Sequence, residues 1–124
     1  MAGANTPAQK FRIVDAASMG ADVTPATPFN ADSATLLSIT AKWLSAGSPV
    51  GTFVIEGSND LGAVADIVNW FDLTPQVAPA LPNASAATEF TVNIPKFGFR
   101  WLRVRYVRTS GTSTLTVIVV GKVG

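Results

Sequence analysis

The stretch that decides the fold is residues 99–108, "FRWLRVRYVR". Successive side chains of a β-strand point to opposite faces of its sheet. On that period Leu102, Val104 and Tyr106 share one face. The alternate positions form the other face, namely Trp101, Arg103, Arg105 and Val107. The pattern therefore predicts a strand within 97–108 that has an apolar inner face and a cationic outer face.

The cationic face has two possible explanations. Its arginines could pair with carboxylates on neighbouring strands and turns, for which the candidates are Glu56, Asp60 and Asp72. Alternatively they could contact an acidic or nucleic-acid partner, because guanidinium groups fork onto phosphates and tryptophan stacks on bases. The net charge of only +1 favours ion pairing, within the chain or with carboxylates of a protein partner. We therefore expect no direct nucleic-acid contact, which needs a wider basic surface.

Other β-like runs follow one another along the chain. The clearest are 34–45, "ATLLSITAKWLS", and 88–95, "TEFTVNIP", which both alternate apolar and polar residues. Segments 18–33 and 76–87 are rich in Pro and small polar residues and are predicted as long loops. The predicted strands are 11–16, 34–45, 50–60, 67–75, 88–95, 97–108 and 114–123.

No segment carries a convincing helical period with caps. Short strands joined by turns predict an all-β fold, an antiparallel β-sandwich or jelly-roll-like arrangement of about seven to eight strands. The length of 124 residues suits one domain. We assign residues 1–10 to a flexible N-terminal arm, because they are small and polar, and residues 11–124 to a single β-sandwich domain.

The composition indicates an assembled protein. Charged residues make up only 14% of the chain, against about a quarter in ordinary soluble domains. A small domain with 48% hydrophobic residues is expected to hide surface against neighbours. No apolar run reaches the roughly 18 residues of a membrane span, and the start of the chain is unlike a signal peptide. We expect no membrane partner and a protein that stays where it is made or leaves inside a particle.

The residues of most enzymes are missing from this sequence. The chain has no His and no Cys, which removes the usual general base, the thiolate nucleophile and the common transition-metal ligands. We therefore predict that the protein is not an enzyme and holds no cofactor or metal. One alternative stays open, a calcium loop formed by Asn59, Asp60 and Asp66, beside the interpretation that these residues form turns.

The three tryptophans have different expected positions. Trp43 alternates with Ile39 and Ala41 and is predicted to lie in the core. Trp70 precedes a Pro-containing loop and is predicted in the core or at its rim. Trp101 falls on the arginine face, where an exposed Trp beside Arg is typical of a contact hot spot. The predicted interface consists of Trp101, Arg103, Arg105 and Trp70.

Two pieces of the chain resemble known families. "GTFVIEGSND" (51–60) followed by "NWFDLT" (69–74) resembles a hairpin of discoidin-like (coagulation factor 5/8 type C) β-sandwich modules. The longer pieces "KFRIVDAASMGADVTPATPFN", "AKWLSAGSPVGTFVIEGSND" and "FRWLRVRYVRTSGTSTLTVIVVGK" resemble small structural proteins encoded by tailed phages, over roughly residues 10–122. The chain is shorter than discoidin modules and lacks Cys, so no ligand-binding residue carries over.

The phage resemblance implies a structural virion protein that is made in the host cytoplasm. The expected role is a capsid decoration or cement protein that forms a homotrimer or homodimer and binds the major capsid protein. The alternative is a spike- or tail-associated module that recognises host surface glycans, with Trp70 and Trp101 as its candidate aromatic platform.

Overall fold

The architecture is an eight-stranded sandwich in a computed structural model. The structure describes residues 9–31, 36–61, 63–64, 67–77, 80–95 and 97–122, with only the backbone for Gln9. The strands are β1 (Gln9–Ser18), β2 (Phe29–Asn30), β3 (Leu36–Lys42), β4 (Val50–Ser58), β5 (Phe71–Asp72), β6 (Glu89–Pro95), β7 (Trp101–Ser110) and β8 (Thr114–Lys122). A short 3-10 helix, Thr74–Gln76, follows β5.

The strands form two four-stranded antiparallel sheets. Sheet 1 has the order β1-β8-β3-β6, and sheet 2 has the order β2-β7-β4-β5. The pairs are nested, because β1 pairs with β8, β2 with β7, β3 with β6 and β4 with β5. This nesting is the strand order of a jelly roll. The predicted all-β sandwich is therefore confirmed.

Strand β7 has the two faces that its sequence predicts. Leu102, Val104 and Tyr106 on its inner face are each at most 1% exposed. They pack in one core with the inner residues of sheet 1, which come from β1, β3, β6 and β8. The period of two along residues 101–106 thus identified the core side of sheet 2 correctly.

An aromatic cluster fills one part of the core. The ring of Phe53 lies 4.7 Å from that of Trp43, 5.2 Å from that of Phe90 and 5.2 Å from that of Tyr106, measured between centroids. The indole Nε1 of Trp43 donates a hydrogen bond to the carbonyl of Ala84 at 3.0 Å, so its one polar atom is satisfied. The predicted core position of Trp43 is confirmed.

Three segment boundaries differ from the sequence-based expectation. Strand β1 begins at Gln9, so Gln9 and Lys10 pair with β8 and are not part of an arm, whereas residues 1–8 lie outside the described residues. The predicted loop 18–33 contains the short strand β2. The predicted strand 67–75 is reduced to the two residues of β5, because a carboxylate and a 3-10 turn take up the neighbouring backbone amides.

Candidate interaction surface

A buried ion cluster occupies the outer face of sheet 2. Glu56 on β4 lies directly opposite Arg103 on β7, and Arg105 lies one outward position further along β7. The Nε atoms of Arg103 and Arg105 donate to the same Glu56 Oε1 at 2.7 and 2.8 Å. The Glu56 side chain is 9% exposed, so water screens these contacts less than it screens surface ion pairs. The ion-pair explanation of the arginine face is confirmed for Glu56.

Trp70 lies against this cluster. The guanidinium carbon of Arg103 sits 4.1 Å from the centroid of the Trp70 ring, which is a cation–π contact. Trp70 is half-buried, which favours the rim over the core among its two predicted positions. The structure therefore brings together three of the predicted interface residues, Trp70, Arg103 and Arg105, on one outer face.

Trp101 does not have the exposure that its sequence position suggested. It is only 9% exposed, although it lies on the same outer face as Arg103. The physical reason is that Trp101 is flanked on both sides, by Asn30 of β2 and by Ser58 of β4. Its indole Nε1 donates to the backbone carbonyl of Asp60 at 3.2 Å. The expectation of an exposed Trp101 is corrected, and its role at an interface stays a prediction.

Asp60 organises the described part of the segment between β4 and β5, residues 59–61, 63–64 and 67–70, which we name the Asp60 loop. Its Oδ2 accepts hydrogen bonds from the backbone amides of Val68 at 2.7 Å and Asn69 at 2.8 Å. Its Oδ1 accepts a third bond from the Asn69 side chain at 3.1 Å. The bonds from the Asn69 and Val68 amides hold the pKa of Asp60 below its usual value. One carboxylate thus closes the loop onto its own start.

Two further contacts fix the base of the Asp60 loop to β7. The Trp101 indole bonds the Asp60 carbonyl, and the backbone amide of Arg100 donates to the side-chain oxygen of Asn59 at 3.0 Å. Compact loops whose ends meet and whose base is anchored are frequent carriers of binding residues. The loop is positioned by the same strand that carries the ion cluster.

Exposed apolar side chains concentrate at this loop. Six large apolar side chains are exposed among the described residues, and four of them lie on the Asp60 loop or on β5 directly after it. These are Leu61 (73% exposed), Val64 (39%), Val68 (74%) and Phe71 (56%). Concentrated apolar exposure of this kind marks contact sites rather than ordinary surface. We call these four residues, together with Trp70, Arg103 and Arg105, the β5-side surface; Phe71 pairs with Gly57 and lies 6.0 Å from the Phe99 ring, so it stands at the β5 edge beside the outer face and not on it.

The sequence analysis missed these four apolar residues as contact candidates. Residues 61–66 lie between two predicted strands, 50–60 and 67–75, and Val68 and Phe71 fall within the second of them. The available signal was a Leu and two Val placed in a turn-rich segment without any alternation. It was hard to use, because their exposure depends on the hydrogen bonds of Asp60, which come from eight and nine residues away.

The candidate calcium residues have other contacts. Asp60 and Asn59 accept the backbone and side-chain hydrogen bonds given above, and Asp66 lies outside the described residues. Asp72 faces Glu56 across β4 and β5, and its Oδ1 accepts a hydrogen bond from the Thr74 amide at 2.9 Å. Hydrogen bonds from the Thr74 hydroxyl and amide hold the pKa of Asp72 below its usual value. Among the described residues, no three His, Cys, Asp or Glu side chains converge as a metal site would require.

Comparisons with known proteins identify a fold relative. No protein-family model matches the chain, and no curated protein matches it in sequence. A solved structure, the SPBc2 prophage-derived protein YomS, matches with a TM-score of 0.52 and 14% sequence identity. The match covers 93% of this chain and 94% of that one. The two chains thus share a fold over nearly their whole lengths.

The resemblance to discoidin-like modules is not confirmed by these comparisons. In the structure, β4 and β5 pair through only two positions, Glu56 with Asp72 and Gly57 with Phe71. In the part of the chain that the structure describes, no helix is long and apolar enough to cross a membrane.

Proposed function

We propose that the chain is a structural protein of a bacterial virus particle, a capsid decoration or cement protein that self-associates and binds the major capsid protein. The observation that carries the proposal is the end-to-end correspondence of its fold with a prophage-derived protein. The match covers 93% of this chain and 94% of the other, so the two chains contain a small domain of the same size, as expected for a decoration protein.

The β5-side surface supports this role and is the site at which we propose that the contact is made. Its exposed Leu61, Val68 and Phe71 offer apolar contact area, and Trp70 with Arg103 is the residue combination enriched at binding hot spots. The chain lacks His and Cys, so we propose a protein that supplies contacts and performs no reaction. We propose that the protein is part of the virion.

Analysis of purified particles tests the proposal directly. Particles of the phage or induced prophage that encodes the chain are purified on a density gradient and quantified by mass spectrometry. A copy number comparable with that of the major capsid protein is expected for a decoration protein. A few copies per particle would indicate a spike or tail component instead. Absence from particles would overturn the proposal.

Surface variants test whether the β5-side surface makes the contact. Replacement of both Leu61 and Val68 by Ser should weaken co-sedimentation with shells that lack the protein by on the order of tenfold or more. Leu44→Ser is the matched control, because Leu44 is 64% exposed but lies outside this surface. Equal binding by both variants would remove the β5-side surface from the proposal.

A second candidate function is glycan recognition by a spike or tail module. The half-buried Trp70 with Arg103 across its ring is the observation that favours it, because sugars stack on aromatic faces and bond to charged groups. A titration of host-surface glycans against tryptophan fluorescence tests it. Quenching that disappears in Trp70→Ala but persists in Trp43→Phe would favour this function over the decoration role.

A further inference from the structure

The four sheet edges differ in how they are protected. On β1 the register shifts twice, between Arg12 and Val14 and between Val14 and Ala17, and Ala16 has a positive φ of 51°. Strands β2 and β5 contain only two residues each. Bulges and very short strands are the usual means by which proteins prevent edge pairing. Strand β6 has neither, and its seven residues pair with β3 without interruption.

The hydrogen-bond phase of β6 follows from two contacts. The Trp43 amide donates to the Thr88 carbonyl at 2.9 Å, and this pair continues the register of β3 with β6. Hydrogen-bonded and non-hydrogen-bonded pairs alternate along an antiparallel ladder. Thr40 and Thr91 therefore form a non-hydrogen-bonded pair, in agreement with the 3.0 Å contact between their hydroxyl oxygens. The backbone groups of Thr91 point away from β3.

By the same alternation, the backbone amide and carbonyl groups of Glu89 and Asn93 also point away from β3, toward the free edge. No other described segment bonds the backbone of Glu89, Thr91 or Asn93. The three side chains are exposed. Pro95 lacks an amide hydrogen, but it stands at the end of the strand, so the central donors and acceptors remain available. The edge thus presents three regularly spaced peptide groups to a further strand.

We propose that two copies of the chain pair through this edge, with β6 of one copy antiparallel to β6 of the other and Thr91 facing the Thr91 of its partner. In this register Glu89 faces Asn93 of the second copy, and Asn93 faces its Glu89. All three outward-directed residues then form hydrogen-bonded pairs, which is the phase that the β3–β6 ladder leaves free.

The charge pattern of β6 favours a second copy as the occupant, because pairing two copies brings no like charges together. The only charged residue of β6 is Glu89, and this register places it opposite a neutral amide rather than opposite a second Glu89. Because every pair repeats across a two-fold axis, the edge complements itself without help from another protein. Pairing would join two copies of sheet 1 into one continuous eight-stranded sheet.

The proposal goes beyond the decoration role because it uses a different surface. The Asp60 loop and the ion cluster belong to sheet 2, whereas β6 belongs to sheet 1. Self-association through β6 and particle binding through the β5-side surface are therefore separate properties that separate variants can remove.

A proline substitution tests the edge in the purified full chain. Thr91→Pro removes the central amide, which makes no bond inside the copy, and proline is tolerated in edge strands. Sedimentation velocity across a wide concentration range should show a dimer in the native chain and an apparent dissociation constant raised by about tenfold or more in this variant. Thr91→Val is the matched control, because it also removes the hydroxyl contact with Thr40 but keeps the amide. It should dimerise like the native chain.

Opposite charges at Asn93 test the register. Asn93→Lys would place a lysine opposite Glu89 of the second copy twice per dimer and should tighten the dimer by roughly fivefold at low salt. Asn93→Glu would create two like-charge pairs and should weaken it by a similar factor. Both substitutions are at an exposed position, so the folded copies should keep their stability.

The outcomes separate this proposal from the particle-binding part of the proposed function, whereas a chain that stays monomeric would also remove its self-association. A native chain that stays monomeric at all concentrations overturns the edge pairing, as does a dimer that Thr91→Pro leaves intact. Equal effects of the two Asn93 substitutions overturn the Thr91-centred register. None of these results affects particle binding by the β5-side surface, which Leu61 and Val68 variants test by themselves.

Discussion

Strands β7 and β8 follow each other through a short turn that crosses from sheet 2 to sheet 1, yet their outer faces carry different kinds of side chain. Their inner faces are alike, with Leu102 and Val104 on β7 and Leu115 and Val117 on β8 all nearly fully buried. The outer face of β7 carries the arginines that hold Glu56. The outer face of β8 carries Thr116, Ile118 and Val120, with Lys122 at its end, and it holds no ion pair among the described residues.

The comparison shows that the apolar inner faces of the strands fold the chain, whereas the outer faces make its two surfaces different. Any sequence with two apolar inner faces would make a sandwich, because burial of those faces stabilises both sheets equally. The arginines of β7 are held by Glu56, and residues of the same strand contact Trp70, through Arg103, and the Asp60 loop, through Trp101. The β5-side surface is therefore built on β7, whereas the face of β8 stays uniform.

The largest expected effect tests the shared part of the comparison. Leu102→Ala on β7 and Leu115→Ala on β8 each remove a buried leucine that is at most 1% exposed. Each should lower the free energy of unfolding by about 3 kcal/mol, from lost transfer energy and the cavity left behind. Urea unfolding measures both. If the two variants lose free energies of unfolding that differ by more than about 2 kcal/mol, the two inner faces are not equivalent.

The next effect tests the contrast between the outer faces. Glu56→Gln keeps the shape but removes the charge that Arg103 and Arg105 share. Breaking a buried pair from one side costs about 3–5 kcal/mol, and the partial exposure of the arginines reduces our expectation to about 2 kcal/mol. The control is Thr40→Val on the outer face of sheet 1, expected within about 0.5 kcal/mol. Chemical denaturation measures the free energy of unfolding of both variants. Equally small losses of stability would contradict the difference between the outer faces of the two sheets.

The faces of the strands were predictable because alternation is a local property. The period along 101–106 identifies the core side of β7, and the same reasoning holds for 36–42 and 89–95. The existence of an ion partner for the arginines was also predictable, with three carboxylates as candidates. The choice of Glu56 depends on the register of β4 with β7, which a single strand does not encode.

The loop and the burial of Trp101 were not predictable for a related reason. Residues 67–71, "IVNWF", have strong strand propensity, but the Asp60 carboxylate takes the amides of Val68 and Asn69. Trp101 is covered because β2 forms inside a segment whose prolines predicted a loop. In both cases a contact distant in sequence overrides the local preference.

A smaller effect tests the one polar atom on the inner face of β7. The hydroxyl of Tyr106 is buried and has no hydrogen-bond partner among the described residues, whereas β8 buries only apolar side chains on that face. Tyr106→Phe should therefore raise the free energy of unfolding by about 1 kcal/mol. Urea unfolding at neutral pH measures this, and a loss of stability would indicate that the hydroxyl has a partner.

The same tyrosine makes a pH prediction for the native chain. Burial raises the pKa of Tyr106 above the usual tyrosine value of 10.0, because the phenolate is disfavoured in the core. The unfolded chain therefore ionises first, and stability should fall as the pH rises above about 10. The chain has one tyrosine, so phenolate absorption reports this residue alone, and its transition should coincide with unfolding.

The smallest effect is local and tests the loop that β7 supports. The hydrogen bonds of Asn69 and Val68 lower the pKa of Asp60. Its contribution to the stability of the loop is therefore complete above the usual aspartate value of 3.8 and is lost as the pH falls through the lower folded value. Amide NMR signals of Val68 and Asn69 should shift in that acidic range, while those of Thr116 and Ile118 on β8 should stay in place. Asp72, whose pKa is also lowered, should affect Thr74 in the same range. If the amide signals of Thr116 and Ile118 shift in the same pH range, acid destabilises the whole sandwich. Asp60 would then not hold the loop independently of the rest of the fold.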